Sequence, residues 1–291
     1  MKKNACISPA ISGFIDLNHE LTIRYAGATD AGICRTHNED CLGVQPDLFL
    51  FCVADGVGGM DAGEVASHAA IEFLVKNEGV SRNCLFSLFS RMIGHRESKI
   101  SPLCKQIELA GKYVFELSAK LQKRMATTIV ALRSLPDGTA EIGNIGDSRA
   151  YLYRKNILGQ ISDDHSVTNE LLRAGLSIKA DPSFNAAHKI TKALGGKIGE
   201  ATPDIFRVPF QENDLFLLCS DGLTDMVSDY DISDIIKKCQ QESLSTMVGD
   251  LIQNAIKAGG RDNITAVLVR VEPKKTVKCS NGAAELLQKA Y

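Results

Sequence analysis

The sequence lacks an excess of either charge: 33 Lys and Arg against 35 Asp and Glu leave a formal net charge of −2 over 291 residues. A phosphate backbone selects for basic patches, so nucleic acid is excluded as a main partner. No apolar run approaches the roughly 18–20 residues that a bilayer-spanning helix needs, so no membrane segment is expected. Met1-Lys2-Lys3 is basic, but Ser8, Pro9, Ser12, Gly13 and Asp16 break up the residues after it. That leaves no apolar core of about 7–15 residues for an export signal. CxxC pairs, an HExxH pattern, internal repeats and low-complexity tracts are also missing. The nine cysteines are odd in number, and Cys52 and Cys219 lie inside apolar runs. They read as reduced thiols of a soluble cytoplasmic protein rather than a disulfide framework or a zinc site. A hydrophobic content of 44% with 23% charged residues excludes a disordered or collagen-like chain. The length fits one large domain or two ordinary ones.

Strand signals dominate what is present. Leu48–Ala54 is a short continuous apolar run stopped by Asp55-Gly56. Residues 127–145 read as a hairpin, β-branched at Thr127 and Thr128 and turning at Pro136-Asp137-Gly138. Arg149–Arg154 alternates, Leu215–Cys219 is a second continuous run, and Ile264–Val271 predicts a late strand. Helical spacing is clear in Glu64–Glu78 and in 244–258, with one or two helices predicted over 84–121 and a short one over 165–175. Residues 176–189 have no period and read as an irregular insertion. The stretch after Pro273 reads as a tail with a short helix at 283–290. Runs of strands with helices grouped between them predict antiparallel sheets with helices packed outside, an α+β architecture.

The aspartates fall where these strands end. Asp55 follows one apolar strand and Asp221 another, through Ser220. Asp262 precedes a third, Asp147 follows 140–145 through Gly146, and Asp40 opens an apolar segment. Any one Asp-Gly is an ordinary turn. Five carboxylates at one rim, however, would repel and raise one another's pKa unless a cation neutralised them. An all-oxygen set suits Mg²⁺ or Mn²⁺, and glycines such as Gly56, Gly58 and Gly59 allow close backbone approach. A pair of such ions would form a phosphoester-hydrolysing centre. Arg35, five residues before Asp40, is the candidate to grip phosphate through its planar fork.

Six segments read together carry a resemblance: Arg35–Asp40, Val53–Gly59, Gly63–Ser67, Gly146–Arg149, Cys219–Leu223 and Gly260–Thr265. In this order they resemble the motifs of the metal-dependent protein Ser/Thr phosphatases of type 2C, the PPM family, in its bacterial branch. The resemblance implies two stacked antiparallel sheets flanked by helices, an α-β-β-α sandwich with a flap insertion at about 165–190. It divides the chain into an N-terminal extension (1–21), a catalytic domain (22–272) and a C-terminal tail (273–291). It implies hydrolysis of phosphoserine and phosphothreonine by a hydroxide bridging two Mg²⁺ or Mn²⁺ ions. By motif position, Asp55 would bridge both metals and Gly56 would lend its carbonyl. Asp221 and Asp262 would ligate one metal, Glu39 would hold waters of the other, and Asp40 would act beside them. Arg35 would bind the substrate phosphate, and Asp147 would help hold a third, weaker metal.

The sequence departs from that pattern at two places. Val57 stands where many eukaryotic members carry a histidine proposed as general acid, which leaves the proton donor unassigned. Met125-Ala126-Thr127-Thr128 replaces the usual Met-Gly-Thr-Thr. His165, at a common family position, is read as a structural histidine beside the flap, and His37 and His68 as surface or packing residues. An inactive phosphatase-like binding module is the contrasting reading, but no acidic position that the motifs require is lost. A monomeric, stand-alone enzyme acting on substrates of a bacterial Ser/Thr kinase is expected over a role in partner switching, since no sensor domain accompanies the catalytic region.

Overall fold

The apolar runs end where an Asp, Gly or Asn succeeds them, and these residues mark the rims of two sheets. A computed structural model describes residues 6–7, 10–17, 20–57, 61–76, 101–175, 189–196 and 202–274. The first sheet is ordered β1 (Cys6–Ile7), β4 (Asp40–Gln45), β5 (Leu50–Asp55), β6 (Ile129–Ser134), β7 (Thr139–Ile145), β10 (Asp204–Pro209). The second is ordered β2 (Ala10–Asp16), β3 (Leu21–Asp30), β12 (Ile264–Pro273), β11 (Leu215–Cys219), β8 (Arg149–Arg154), β9 (Ile157–Gln160). Every pairing is antiparallel.

Three apolar layers result from the alternation of side chains along these strands. Val53, Val130, Ile142, Phe216, Leu218, Val267 and Val269 fill the space between the sheets. The opposite face of the first sheet, with Cys52, Ala131 and Ile145, is covered by α1 (Gly63–Lys76) and α2 (Pro102–Leu121). The opposite face of the second, with Leu217, Ala266 and Leu268, is covered by α4 (Asp221–Thr224), α5 (Asp229–Lys238) and α6 (Leu244–Lys257). A short α3 (Val167–Arg173) comes after β9. Local chemistry starts the longer helices. Ser101 accepts from the Cys104 N–H ahead of Pro102, and Ser243 accepts from the Thr246 N–H.

The predicted α-β-β-α sandwich is therefore the one observed. The hairpin over 127–145 forms as β6 and β7, with Ile129 opposite Ile145. Leu48–Ala54 begins two residues late, because Pro46–Leu48 is a 3₁₀ turn and β5 runs Leu50–Asp55. Among the described residues six cysteines are free and five of these are buried, as a small buried hydrophobe would be. No described helix is long and apolar enough to cross a membrane.

The segment set apart in the sequence as an N-terminal extension over 1–21 contributes two described strands. β1 pairs with β4 and β2 pairs along its length with β3, Ala10 opposite Ala28 through Asp16 opposite Thr22, so this segment adds a strand to each sheet. Burial alternates along Ala10–Asp16, but β2 is an edge strand with only Ile15 fully buried. The reading of helix over 84–100, the irregular insertion over 176–188, Gly58, Gly59 and the tail helix at 283–290 lie outside the described residues.

Ile15 is 6% exposed and packs in the layer between the sheets. Ile15→Ala is expected to cost about 2–3 kcal/mol and to lower Tm by roughly 2–4 °C per kcal/mol. An unchanged Tm in thermal denaturation would show that β2 is not part of the cooperative unit.

Candidate active site

In the antiparallel sheets the C-terminal ends of β5, β7 and β11 and the N-terminal ends of β4, β8 and β12 lie at one rim. Asp40 opens β4 directly opposite Asp55, which closes β5. Asp221 follows β11 through Ser220, Asp147 lies in the β7–β8 turn, and Asp262 precedes β12. Arg35 and Glu39 stand on the loop from β3 to β4. All eight residues singled out in the sequence, Gly56 among them, thus sit on this rim.

Asp40 is fully buried, and its Oδ2 accepts from Ser220 Oγ at 2.7 Å and Thr265 Oγ1 at 2.6 Å. Both hydroxyls belong to the second sheet, so the carboxylate pins the two sheets together at the rim. Its Oδ1 is buried with no hydrogen-bond partner. Burial pushes the Asp40 pKa up to about 7; the two hydroxyls work against this, and Asp221 and Asp262 add to it. Asp55 is raised well above the carboxylate range, first by desolvation and then by Asp40, Asp221 and Asp147. Asp147 rises to about 7, by desolvation and then by Asp221. Desolvation also raises Glu39, against the attraction of Arg35.

Backbone contacts hold these side chains in place. Thr128 Oγ1 accepts from the Asp55 N–H at 3.0 Å, and the Asp55 carbonyl accepts from the Thr128 N–H and the Thr127 hydroxyl, each at 2.8 Å. The Glu39 N–H donates to Asn263 Oδ1 at 2.8 Å, and its carbonyl accepts from Ser67 Oγ at 2.6 Å and the Gly56 N–H at 3.1 Å. Asn263 Nδ2 donates to the carbonyls of Ala31 and His37 and so stitches the loop of Arg35 to the strand that follows Asp262. A Cβ on Gly56 would lie 2.5 Å from the Gly63 carbonyl oxygen. Glycine is therefore what lets the end of β5 reach the first turn of α1. Arg35 Nη2 donates to Asp262 Oδ2 at 2.7 Å across a solvent-exposed gap, and this bond is the largest influence raising the Arg35 pKa.

Sequence reasoning finds the carboxylates but not the groups that aim them. Ser220, Thr265, Asn263 and Ser67 fall inside the motif segments, but as ordinary residues for strand and helix ends they receive no role there. Thr127 and Thr128 stand out in the sequence as the β-branched start of a hairpin and as part of a motif variant, not as supports of Asp55. His37 and His68 are both exposed.

Among the described residues no three or more His, Cys, Asp and Glu side chains already close into a finished cage. The donor set nevertheless fits divalent cations. Asp40 keeps a buried oxygen that lacks a partner, the carboxylates raise one another's pKa, and every available donor is oxygen, the set that Mg²⁺ and Mn²⁺ take.

The chain is similar to known phosphatases. The protein phosphatase 2C family matches residues 35–258. The serine/threonine phosphatase stp of Listeria welshimeri is 38% identical over 244 residues, 83% of this chain and 93% of that protein. The crystal structure of the serine/threonine phosphatase PstP/Ppp of Mycobacterium tuberculosis is 29% identical with a TM-score of 0.70, covering 86% of this chain and 99% of that one. A PstP catalytic domain in complex with two manganese ions is 30% identical with a TM-score of 0.69, covering 87% of this chain and 99% of that one. With a carboxylate rim on a two-sheet sandwich and a family match over most of its length, the chain belongs to the protein phosphatase 2C family.

Proposed function

We propose that the chain removes phosphate from phosphoserine and phosphothreonine side chains of proteins at the rim centred on the Asp40–Asp55 pair. That pairing carries the reading: two carboxylates directly opposed across adjacent strands, with Asp221 interacting with both, are stable together at neutral pH only with added positive charge. Asp55 and the Gly56 carbonyl would hold two divalent ions jointly, Asp221 and Asp262 would complete one position, and Glu39 would hold water at the other. Asp147 would help hold a third, weaker ion. Bound there, Mn²⁺ or Mg²⁺ polarises the phosphoryl group and acidifies water.

The chain's own groups supply binding and orientation. Arg35 has five donors in a planar fork; one nitrogen is engaged by Asp262, and the others remain for phosphate oxygens. Asp40, fixed by Ser220 and Thr265, presents its remaining oxygen as an acceptor that orders water beside Asp55. The two sheets exclude bulk water behind the carboxylates, which strengthens each charge interaction in the site. The general acid for the leaving seryl oxygen stays unassigned, since Val57 cannot donate a proton. The substrates would be those of a bacterial Ser/Thr kinase, met by a cytoplasmic monomer.

Phosphopeptide hydrolysis is expected to depend on Mn²⁺ or Mg²⁺ and to stop in excess EDTA. Asp55→Asn and Asp221→Asn should each lower kcat by about 10²-fold or more; full turnover in EDTA would refute the assignment. A charged hydrogen-bonded pair is worth about 1.5–3 kcal/mol, so Arg35→Ala should raise KM for phosphopeptide about tenfold or more. An unchanged KM would remove Arg35 from phosphate binding.

The raised carboxylates also predict how stability depends on pH. Asp40 and Asp147 have folded-state values of about 7 against an ordinary 3.8. Their contribution is complete below the ordinary value and is lost as pH rises through about 7. In EDTA, Tm should therefore fall as pH rises from about 5 to about 8. Mn²⁺ should abolish the fall and Asp40→Asn should reduce it. A Tm in EDTA that rises over this interval would contradict the repulsive rim.

A further inference from the structure

We propose that His165 is a positioning residue for this reaction, holding the turn that carries Asp147 to the base of the 165–192 segment. The proposal rests on the reading of Asp147 as a ligand of the weakest ion. Gly146, immediately before Asp147, is gripped by His165 on both its backbone groups. The Gly146 N–H donates to His165 Nδ1 at 3.0 Å, and the Gly146 carbonyl accepts from the His165 N–H at 2.9 Å. Asn144 Nδ2 donates to the same carbonyl at 3.2 Å. Gly146 has a φ of +103°, and a Cβ there would lie 2.5 Å from Thr128 Cγ2. Gly146 therefore has no side chain to hold its end of the turn, whose other end is tied by Ser148 Oγ to Thr128 Oγ1 at 2.7 Å, so the conformation at Gly146 depends on what binds its backbone.

The imidazole is fixed from its other side as well. A ring nitrogen that accepts from a backbone N–H carries no proton, so the proton is on Nε2. Nε2 faces Asp204 Oδ2 at 3.1 Å and donates to it. Asp204 opens β10 opposite Asn144 of β7, so the ring is a strut between β10 and the β7–β8 turn. Lys192 Nζ lies 3.3 Å from Asp204 Oδ1 and 3.1 Å from Nε2. Its charge and the burial of the ring both oppose a second proton, and the His165 pKa is accordingly lowered, with desolvation the first cause.

The backbone of His165 connects this strut to the flanking segment. Its carbonyl accepts from the Thr191 N–H at 2.7 Å, and Ser166 bridges Ile190. The Val167 N–H donates to the Lys189 carbonyl at 2.9 Å. Both ends of the segment thus meet at the residue that grips Gly146, and displacement of either end is transmitted to Asp147.

Calorimetric titration of Mn²⁺ into the metal-free full chain tests this with His165→Leu, His165→Gln and Asp147→Asn in parallel. Partners that orient a ligand typically change metal affinity by about 10–100-fold. His165→Leu should weaken the weakest ion by about tenfold or more and leave the tighter ions within about twofold. His165→Gln, whose amide can accept from Gly146 and donate to Asp204, should keep most of the affinity. In wild-type protein the ¹⁵N spectrum of the ring should show the Nε2–H tautomer. A uniform loss at every ion, or a change in Tm alone, would make His165 merely structural and overturn the proposal. If Asp147→Asn abolishes the weak ion while His165→Leu leaves it intact, positioning by His165 is refuted and the ligand reading stands. If Asp147→Asn leaves that ion untouched, the ligand reading fails and the proposal falls with it. Should His165→Leu not fold, the ring spectrum and His165→Gln decide: a proton on Nδ1, or a glutamine variant without the weak ion, overturns the proposal.

Discussion

One buried carboxylate sets the distance between the two sheets at the rim. Asp40 belongs to the first sheet, yet its Oδ2 is held by Ser220 and Thr265 of the second. Most of the described space between the sheets is filled by aliphatic and aromatic side chains that give closeness but little directional preference, with Thr128 to Ser148 a second buried polar contact at the same rim. A charged acceptor between two hydroxyls is directional and short-ranged. It is also costly, because burial opposes ionisation, and removing either hydroxyl would leave only the other to offset that cost. The donors of both sheets therefore face a common gap because this polar contact aligns them.

Around that pin the chemistry and the stability of the fold pull in opposite directions. Burial first, and then the mutual repulsion of Asp55, Asp147 and Asp221 at one rim, make Asp55 and Asp147 harder to ionise than ordinary turn aspartates. The same repulsion is what makes the rim attractive to divalent cations. The supporting hydrogen bonds are almost all to backbone: Thr127 and Thr128 on Asp55, Asn263 and Ser67 on Glu39. Backbone anchoring leaves carboxylate oxygens available, so the site is rigid at its base and open at its tips.

How much of this is legible in the sequence depends on how local the determinants are. Leu215–Cys219 and Ile129–Ser134 are buried on both faces, and such strands show themselves as continuous apolar runs. The helix over Leu244–Lys257 buries one stripe, Leu244, Met247, Val248, Leu251, Ile252 and Ala255, at helical spacing. By contrast Asp40–Gln45 is wholly buried although it contains Asp, Gly and Gln, because neighbours distant in sequence satisfy those groups: Gln45 Nε2 donates to the Val75 carbonyl. The helix Asp229–Lys238 gives little sequence signal, having only Ile232 and Ile236 buried among charged residues. The site divides the same way. Asp55, Asp221 and Asp262 are legible as strand-end carboxylates, while Ser220, Thr265 and Asn263 acquire their roles only through long-range contacts.

The pairing of β3 with β12 has a consequence for how the molecule comes into being. Ile264 lies opposite Asp30 and Pro273 opposite Leu21, so a central seam of the second sheet joins strands that leave the ribosome far apart in time. Such long-range closure is slow relative to local contacts. Asp262 and Asn263 arrive with the later of the two strands, and Asn263 is what ties down the loop of Arg35. A nascent chain can form its early hairpins, but the rim lacks Asp262 and the tie on the loop of Arg35 until β12 pairs between β3 and β11.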